Sequence, residues 1–239
     1  TIKQKLRHLP YLLKVCAFTL LIIAIARPQS STNWEESTTE GIDIILAMDI
    51  SGSMLAQDLK PNRLESSKNI AMDFISRRIN DRVGLVIFAG ESFTQCPLTT
   101  DHNVLINLFK DVKSGMVDDG TAIGMGLATA VNRLKDSQAI SKVIILLTDG
   151  VNNSGMVPPL TAAEIAEKFG IRVYTIGVGT EGFAPYPFQT PFGVQYQDVE
   201  VKIDEKTLQD IATLTDGKYF RATNNNSLKK IYKDIDALE

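Results

Sequence analysis

Short apolar runs that alternate with helical periods constrain the fold of this chain more than any other feature. Four runs are nearly continuous in apolar character and rich in β-branched residues, which is typical of strands buried on both faces of a sheet. They are residues 42–46, 83–88, 143–147 and 173–176. Six segments with apolar residues at helical spacing lie between and after them. These are residues 64–75, 104–112, 123–134, 162–169, 208–212 and 228–238. The alternation predicts an α/β fold with a doubly wound, mostly parallel central sheet and helices on both faces.

One segment, residues 182–202, departs from this pattern. It contains three prolines and five aromatic residues and has no helical period. Its second half alternates, with Val194, Tyr196, Val199 and Val201 as candidate apolar positions. The pattern predicts a surface hairpin or an extended loop. The segment is then either an ordinary packed connection or a binding surface, and the sequence leaves both open.

The amino-terminal part differs in character from the rest. Residues 9–26 are apolar apart from a few interruptions, chiefly Pro10 and Lys14. A helix of that length reaches roughly 27 Å, close to the thickness of a bilayer core. We therefore predict a transmembrane helix, with a buried helix of the globular domain or a signal-peptide core as alternatives. The signal-peptide reading fits poorly because Arg27-Pro28 follows the run instead of small residues.

Charge around this run predicts its orientation. Lys3, Lys5, Arg7 and Lys14 lie on its amino-terminal side, and Arg27 follows it. The positive-inside rule then places the amino terminus in the cytoplasm and the globular part on the periplasmic side of a bacterial inner membrane. The predicted organisation is a juxtamembrane segment and transmembrane helix over residues 1–28, a polar linker over 29–40 and one domain over 41–239. Because the chain begins with Thr1 and not Met, we expect it to be part of a longer protein.

Composition excludes several functional classes. The chain of 239 residues carries a net charge of −3, and the acidic excess lies entirely after residue 40. Such a surface gives no electrostatic reason to bind nucleic acid. The only histidines, His8 and His102, make Ser-His-Asp catalysis or a His-rich zinc site poor hypotheses. A disulfide between the only cysteines, Cys16 and Cys96, is not expected.

Polar residues that follow two of the predicted strands carry the functional signal. Asp49, Ser51 and Ser53 follow the first strand at a spacing of two, and Asp149 follows the third long strand. Thr121 precedes a strong helical period. In open parallel sheets, ligands bind outside the carboxyl ends of the strands, where these side chains would meet. Each residue alone is an ordinary turn or helix-cap residue, so the prediction depends on all five together.

The chemistry of these five residues favours a hard cation. Two carboxylates and three hydroxyls supply only oxygen ligands, which suits Mg²⁺, with Ca²⁺ or Mn²⁺ as substitutes, and does not suit zinc. Mg²⁺ prefers six oxygens and retains water molecules. Few direct protein ligands would therefore leave room for an oxygen from outside the chain.

This pattern resembles the metal-ion-dependent adhesion site of von Willebrand factor A domains. That motif is Asp-x-Ser-x-Ser, a distant Thr and an Asp after a buried strand, and Asp49, Ser51, Ser53, Thr121 and Asp149 fill its places. The resemblance covers about residues 41–238. It implies that Ser51 and Ser53 ligate the metal directly, Thr121 directly or through water, and the two aspartates largely through water. It also implies that a Glu or Asp of a protein partner completes the coordination.

A narrower resemblance involves further segments of the chain. Leu-Pro at 9–10, Ala-Arg-Pro-Gln at 26–29, DRVGLVIFAG at 81–90, TPFG at 190–193 and KYFRAT at 218–223 resemble the BatA-like branch of the bacterial aerotolerance (Bat) family. This resemblance implies an inner-membrane protein with an extracytoplasmic domain. It also implies, as partners, other Bat-type membrane proteins and a MoxR-type AAA+ ATPase.

Two other functions remain open. One is a Mg²⁺-dependent phosphoryl-transfer hydrolase with Asp49 as nucleophile. Against it, Ser51 stands where a second Asp would be expected, and no basic residue is evident beside the motif, the nearest being Lys60 and Arg63. The other is a structural scaffold with a vestigial metal site. The G-x-G-x-x-G at 177–182 is not expected to bind a dinucleotide, since no helical period follows it.

Apolar residues near the five polar ones predict the surface that a partner would meet. These are Met54, Leu55, Phe93, Met116, Val117 and the residues from Val151 to Met156. A Met-containing rim would tolerate varied partner shapes. The alternative is that these side chains pack inward.

Overall fold

The computed structural model describes residues 9–26, 41–191 and 193–239. The chain divides into two compact units, Thr1–Thr38 and Thr39–Glu239. Within the first unit, helix α1 spans Leu9–Ala26. The predicted linker at 29–40 lies outside the described residues.

The predicted transmembrane helix is not found. Across the three described ranges, no helix is both long and apolar enough to cross a bilayer. Helix α1 has 18 residues, among them Pro10 and Lys14.

The second unit alternates strands and helices in the predicted order. Its elements are β1 (Asp43–Asp49), α2 (Arg63–Ser76), β2 (Arg82–Phe88), β3 (Ser92–Thr99), α3 (His102–Asp111), α4 (Ile123–Leu134), β4 (Lys142–Thr148), α5 (Pro159–Lys168), β5 (Arg172–Val178), β6 (Phe183–Thr190), β7 (Gly193–Glu200), α6 (Glu205–Leu214), β8 (Tyr219–Ala222) and α7 (Asn225–Leu238). A short 3-10 turn, Gly52–Leu55, follows β1. All six predicted helical segments are helices.

The central sheet has the strand order β3-β2-β1-β4-β5-β8. Every neighbouring pair is parallel except β2 with β3, which is antiparallel. In this register Met48 of β1 lies opposite Leu147 of β4. Asp49 and Thr148 therefore leave the sheet side by side, which brings the two carboxylate-bearing loops to one edge.

Two apolar cores cover the two faces of the sheet. Ile44, Leu46 and Met48 of β1 belong to the core that includes α2, α3 and α7. Ile45 and Ala47 belong to the core that includes α4, α5 and α6. Side chains alternate between faces along a strand, so the continuous apolar run of β1 serves both cores. The doubly wound fold predicted from the sequence is confirmed.

The segment after β5 is the predicted hairpin. Strands β6 and β7 pair antiparallel from Phe183 with Glu200 to Thr190 with Gly193, as a separate two-stranded sheet. The chain from Gly177 to Gly182 thus leads into β6 and not into a helix, as expected. Strands β3 and β8 were not predicted. The first is a partly exposed edge strand that contains Pro97, and the second has only four residues.

Candidate functional site

Three loops meet at the carboxyl edge of the sheet. The Asp49 loop (residues 49–53) follows β1, the Thr121 loop (118–121) precedes α4, and the Asp149 loop (149–153) follows β4. The hydroxyl of Ser53 donates to Oδ1 of Asp149 at 2.6 Å. The hydroxyl oxygens of Ser51 and Ser53 lie 3.0 Å apart. The first and third loops are therefore joined through the predicted ligand residues themselves.

Asp49 is fully buried at the centre of this arrangement. Its Oδ1 accepts from the backbone N–H of Ser51 at 2.9 Å, and its Oδ2 accepts from the hydroxyl of Thr148 at 2.6 Å. Burial, together with the nearby charge of Asp149, raises the pKa of Asp49 to about 7, although these hydrogen bonds oppose the shift. Without a compensating cation, ionisation of this carboxyl is costly.

The Thr121 loop completes the site. Thr121 is buried, and its backbone N–H donates to Oδ1 of Asn153 at 2.8 Å. The backbone N–H of Asn153 in turn donates to the carbonyl of Thr121 at 3.0 Å. A Cβ placed on Gly150 would lie only 3.2 Å from Oγ1 of Thr121, so this glycine permits the close approach of the hydroxyl to the Asp149 loop. Asp49, Ser51, Ser53, Thr121 and Asp149 thus all lie at one edge.

A buried arginine belongs to the site, contrary to the sequence analysis, which found no basic residue beside the motif. Nη1 of Arg63 donates to Oδ2 of Asp149 at 2.7 Å, and Nε and Nη2 donate to Asp58 at 2.8 and 2.6 Å. Burial raises the pKa of Asp149, while Arg63 and Ser53 oppose that rise. For Asp58 burial is outweighed by the bonds from Arg63 and Thr180, and its pKa is lowered. The sequence gives no sign of this contact, because Arg63 and Asp149 are 86 positions apart.

Two further side chains reach the Asp49 loop. Oδ1 of Asp119 accepts from the backbone N–H of Gly52 at 3.0 Å, which ties the Thr121 loop to the Asp49 loop. A Cβ on Gly52 would lie 3.3 Å from the hydroxyl oxygen of Tyr186, a residue of β6. Burial raises the pKa of Tyr186, and the charges of Asp119 and Asp149 add to it. Asp119 precedes Thr121 by two residues, a sequence signal that could have indicated its role, whereas Tyr186 had none.

The donor set fits a hard divalent cation. A hydroxyl donates one hydrogen and keeps its lone pairs, so Ser53 can hold Asp149 and still present an oxygen to a metal. The two buried carboxylates supply negative charge, of which Arg63 compensates only part. Within the described ranges, no group of three or more His, Cys, Asp or Glu side chains is arranged to hold a metal. The predicted site is of another kind, since three of its five side chains are hydroxyls.

The predicted apolar rim is partly wrong. Met54 is fully buried in the core shared by α2, α3 and α7, and Val117 packs against that core. Leu55 is only partly exposed. The backbone of the 3-10 turn directs Met54 inward, which the position of the residue after the motif does not reveal. The members with exposed side chains are Phe93, Met116, Val151 and Met156. Cys16 and Cys96 are free thiols, as expected.

Comparison with known proteins agrees with this architecture. Residues 43–234 match the model of the von Willebrand factor type A domain. The chain is 31% identical to an uncharacterized protein of Borreliella burgdorferi over 93% of its own length, and it spans 66% of that protein.

Solved structures give the same result. BatB from Bacteroides thetaiotaomicron is 32% identical, with a TM-score of 0.73 over 83% of this chain and 98% of that one. An aerotolerance-related membrane protein from Bacteroides fragilis is also 32% identical, with a TM-score of 0.70 over 81% of this chain and 98% of that one. Proximal thread matrix protein 1 from the mussel byssus, described with a zinc-occupied MIDAS motif, is 25% identical. Its TM-score is 0.64, over 83% of this chain and 45% of that one.

The resemblance to Bat proteins is thus confirmed at the level of the family, with a BatB among the similar structures. The matched region contains the whole central sheet and every residue of the candidate site. This chain belongs to the von Willebrand factor type A domain family.

Proposed function

We propose that this chain is a binding module that holds a divalent cation at Asp49, Ser51, Ser53, Thr121 and Asp149 and uses it to bind a carboxylate of a protein partner. Mg²⁺ is the proposed ion, with Mn²⁺ or Ca²⁺ as substitutes. One observation carries the proposal. Two buried carboxylates and the hydroxyls that hydrogen-bond around them converge at the strand edge where α/β folds bind ligands.

The five residues would bind the ion in different ways. Ser51 and Ser53 would bind the ion directly, Thr121 directly or through water, and Asp49 and Asp149 largely through water. When bound, the ion supplies positive charge and an open position for an outside oxygen. Arg63, Asn153 and Asp119 hold the three loops in place through the contacts described above. The zinc-occupied MIDAS motif of the byssus protein supports a metal in this position, although the ion in that structure is zinc and not the hard cation proposed here.

A binding role fits the site better than phosphoryl transfer. A hydrolase that used Asp49 as nucleophile would need a group to move protons and a cation to hold phosphate. Arg63 is the cation that contacts the metal-site residues, but its side chain is 4% exposed and paired with Asp58 and Asp149. It is therefore engaged before any phosphate arrives. We propose accordingly that the chain is not an enzyme. A scaffold with a vestigial metal site remains the second candidate, and metal titration separates the two.

We further propose that the module acts in the bacterial envelope, on the periplasmic side of the inner membrane. Its partners would include other Bat-type membrane proteins and a MoxR-type AAA+ ATPase. The name of the similar Bacteroides fragilis protein, an aerotolerance-related membrane protein, supports this placement. A phosphatase reporter inserted after Glu239 of the full-length protein should be active. Inactivity there, with activity of a cytoplasmic reporter at the same position, would contradict the placement.

The experiment that tests the proposed function is a crosslinked pull-down from membranes. Wild-type protein should recover its partners in Mg²⁺ and lose them in EDTA, and Asp49→Asn should fail to recover them in either condition. Asp210→Ala, an exposed carboxylate on α6, is the control and should behave as wild type. Partners that remain bound to wild-type protein in EDTA would overturn the proposal.

A further inference from the structure

A cavity of about 390 Å³ lies directly beside the candidate metal site. One side of it is polar and is formed by Ser53, Thr121 and Asp149. The hairpin β6–β7 forms another side with Ala184, Phe188 and Val199. The volume is at the lower end of the range for ligand pockets, large enough for one or two side chains of a partner.

The inward residues follow from the register of the hairpin. Directly opposed residues of an antiparallel pair point to the same face, and side chains alternate along each strand. Ala184 pairs with Val199, and Phe188 lies four positions further along β6. These apolar side chains therefore face the cavity. Val194, five positions before Val199, points to the opposite face of the hairpin and does not line this cavity. It lines a neighbouring cavity, which Phe188 and Tyr186 also reach.

Contacts with the segment after the Asp49 loop hold the hairpin in place. The backbone N–H of Gln57 donates to the carbonyl of Pro185 at 2.9 Å, and its side-chain amide donates to the hydroxyl of Tyr196 at 3.1 Å. At the base of the hairpin, the N–H of Val201 donates to the carbonyl of Gly182 at 2.8 Å. The apolar wall is thus fixed relative to the metal site.

The charges around the cavity define when a carboxylate can enter. Three acids, Asp119, Asp149 and Glu200, line it against two cations. Arg63 is buried and paired with Asp149, and Lys202 forms an exposed pair with Glu200 at 3.0 Å, so acidic groups are in excess. A partner carboxylate is repelled by this surface unless a divalent cation is bound. The apolar wall then contacts the residues on either side of that carboxylate.

We propose that the β6–β7 hairpin selects the partner sequence: the site takes an acidic residue flanked by aliphatic side chains, and the hairpin wall receives one of them. This inference rests on the proposed function, because the carboxylate needs the bound cation. It adds a specificity element that lies outside the five metal-site residues.

Three labelled heptapeptides test the inference with the 239-residue chain in fluorescence anisotropy. Their central residues are Leu-Glu-Leu, Ser-Glu-Ser and Leu-Gln-Leu, each flanked by Gly and Ser. In Mg²⁺, Leu-Glu-Leu should bind about tenfold more tightly than Ser-Glu-Ser, because one aliphatic side chain leaves water. Leu-Gln-Leu should not bind, and EDTA should abolish binding of the other two peptides.

A matched pair of variants locates the effect on the hairpin. Val199→Ser should remove the preference for Leu-Glu-Leu, whereas Val194→Ser should keep it; the two residues are 42% and 48% exposed in the same strand. Phe188→Ser serves as a second variant of the wall. All three should bind Mn²⁺, measured separately by electron paramagnetic resonance, with wild-type affinity.

The outcomes separate the two proposals. Equal binding of Leu-Glu-Leu and Ser-Glu-Ser, or no binding of either by the Mn²⁺-loaded protein, overturns the role of the hairpin while the metal site stands. Failure of the wild-type chain to bind Mn²⁺ overturns the proposed function itself. A third outcome is that wild-type protein binds Leu-Gln-Leu in EDTA and Val199→Ser does not. It would show an apolar pocket that needs no carboxylate, and it would also overturn the inference.

Discussion

Arg63 and Asp149 form a buried ion pair in which Nη1 of the guanidinium lies 2.7 Å from Oδ2 of the carboxylate. The other oxygen, Oδ1, accepts the hydroxyl of Ser53 at 2.6 Å. One oxygen of Asp149 is thus held by a cation of the protein, and the other by a predicted metal ligand. The protein compensates part of the negative charge of the site even when no metal is bound.

This relationship predicts the effect of Arg63→Met. Loss of the guanidinium leaves Asp58 and Asp149 buried without their partner, which should lower the free energy of unfolding by about 3 kcal/mol in EDTA. Mg²⁺ should restore part of the loss, because it compensates Asp149. Urea denaturation with and without Mg²⁺ measures both effects.

The control for this prediction is Arg77→Met in the same helix. Arg77 pairs with Asp73 at the surface, and the side chains are 57% and 45% exposed. Its replacement should change the free energy of unfolding by less than about 0.5 kcal/mol, with no dependence on Mg²⁺. Equal effects of the two substitutions would contradict the assigned role of Arg63.

The metal-free protein should lose stability as pH rises through the weakly acidic range. Burial and the charge of Asp149 raise the pKa of Asp49 from 3.8 to about 7. The native state then binds a proton that the unfolded chain releases, so stability present below about pH 4 is lost as pH rises towards 7. Asp149 shifts in the same direction.

Unfolding in EDTA between pH 4 and 7 measures this dependence, and Asp49→Asn should reduce it. The lowered pKa values of Asp58 and Glu239 act in the opposite sense, because their stabilisation is lost as pH falls below their ordinary pKa values of 3.8 and 4.5. They therefore affect only the acidic end of this window. Two results would contradict a buried Asp49 carboxyl without a cation. One is equal stability of the wild-type protein at pH 4 and pH 7 in EDTA, and the other is the same pH dependence of stability in Asp49→Asn.

Asp119 should support metal binding without being one of the five site residues. Its carboxylate fixes the Asp49 loop through the N–H of Gly52. Removing such an outer contact commonly lowers metal affinity at least about tenfold, so Asp119→Ala should weaken Mn²⁺ binding by that factor. The neighbouring Asp118, also exposed, provides the control, because Asp118→Ala leaves this contact intact. Wild-type affinity of Asp119→Ala for Mn²⁺ would contradict this supporting role of Asp119.

Met54 and Phe93 should respond in opposite ways to the same substitution. Met54 is fully buried, so Met54→Asp places a charge in the core and should cost more than about 4 kcal/mol. Phe93 lies on the edge strand β3 and is 55% exposed, so Phe93→Asp should cost less than about 1 kcal/mol. Thermal unfolding followed by circular dichroism distinguishes them. A stable Met54→Asp variant would mean that the 3-10 turn exposes this side chain.

The sequence predicts the sheet and its edge because their signals are local. The apolar run of β1 and the polar residues after it lie within a dozen positions, and parallel pairing then brings Asp49 and Asp149 together. The helical segments follow from their own periodicity. Strand β8 escapes prediction because its four residues are too few to show a pattern.

The contacts that complete the site are not local. Arg63 reaches Asp149 and Tyr186 reaches Gly52 only after the fold brings α2 and the hairpin to the same edge. Met54 was predicted to be exposed because it follows the motif directly in sequence, but the 3-10 turn buries it.

A Mn²⁺ titration followed by electron paramagnetic resonance tests the central claim most directly. The account predicts one bound Mn²⁺ per chain, displaced by Mg²⁺, with binding lost in Asp49→Asn and in the double variant Ser51→Ala, Ser53→Ala, while circular dichroism shows both variants folded. A free-Mn²⁺ signal that is undiminished by millimolar wild-type protein, or the same binding in wild type and both variants, would contradict a metal site at this edge of the sheet.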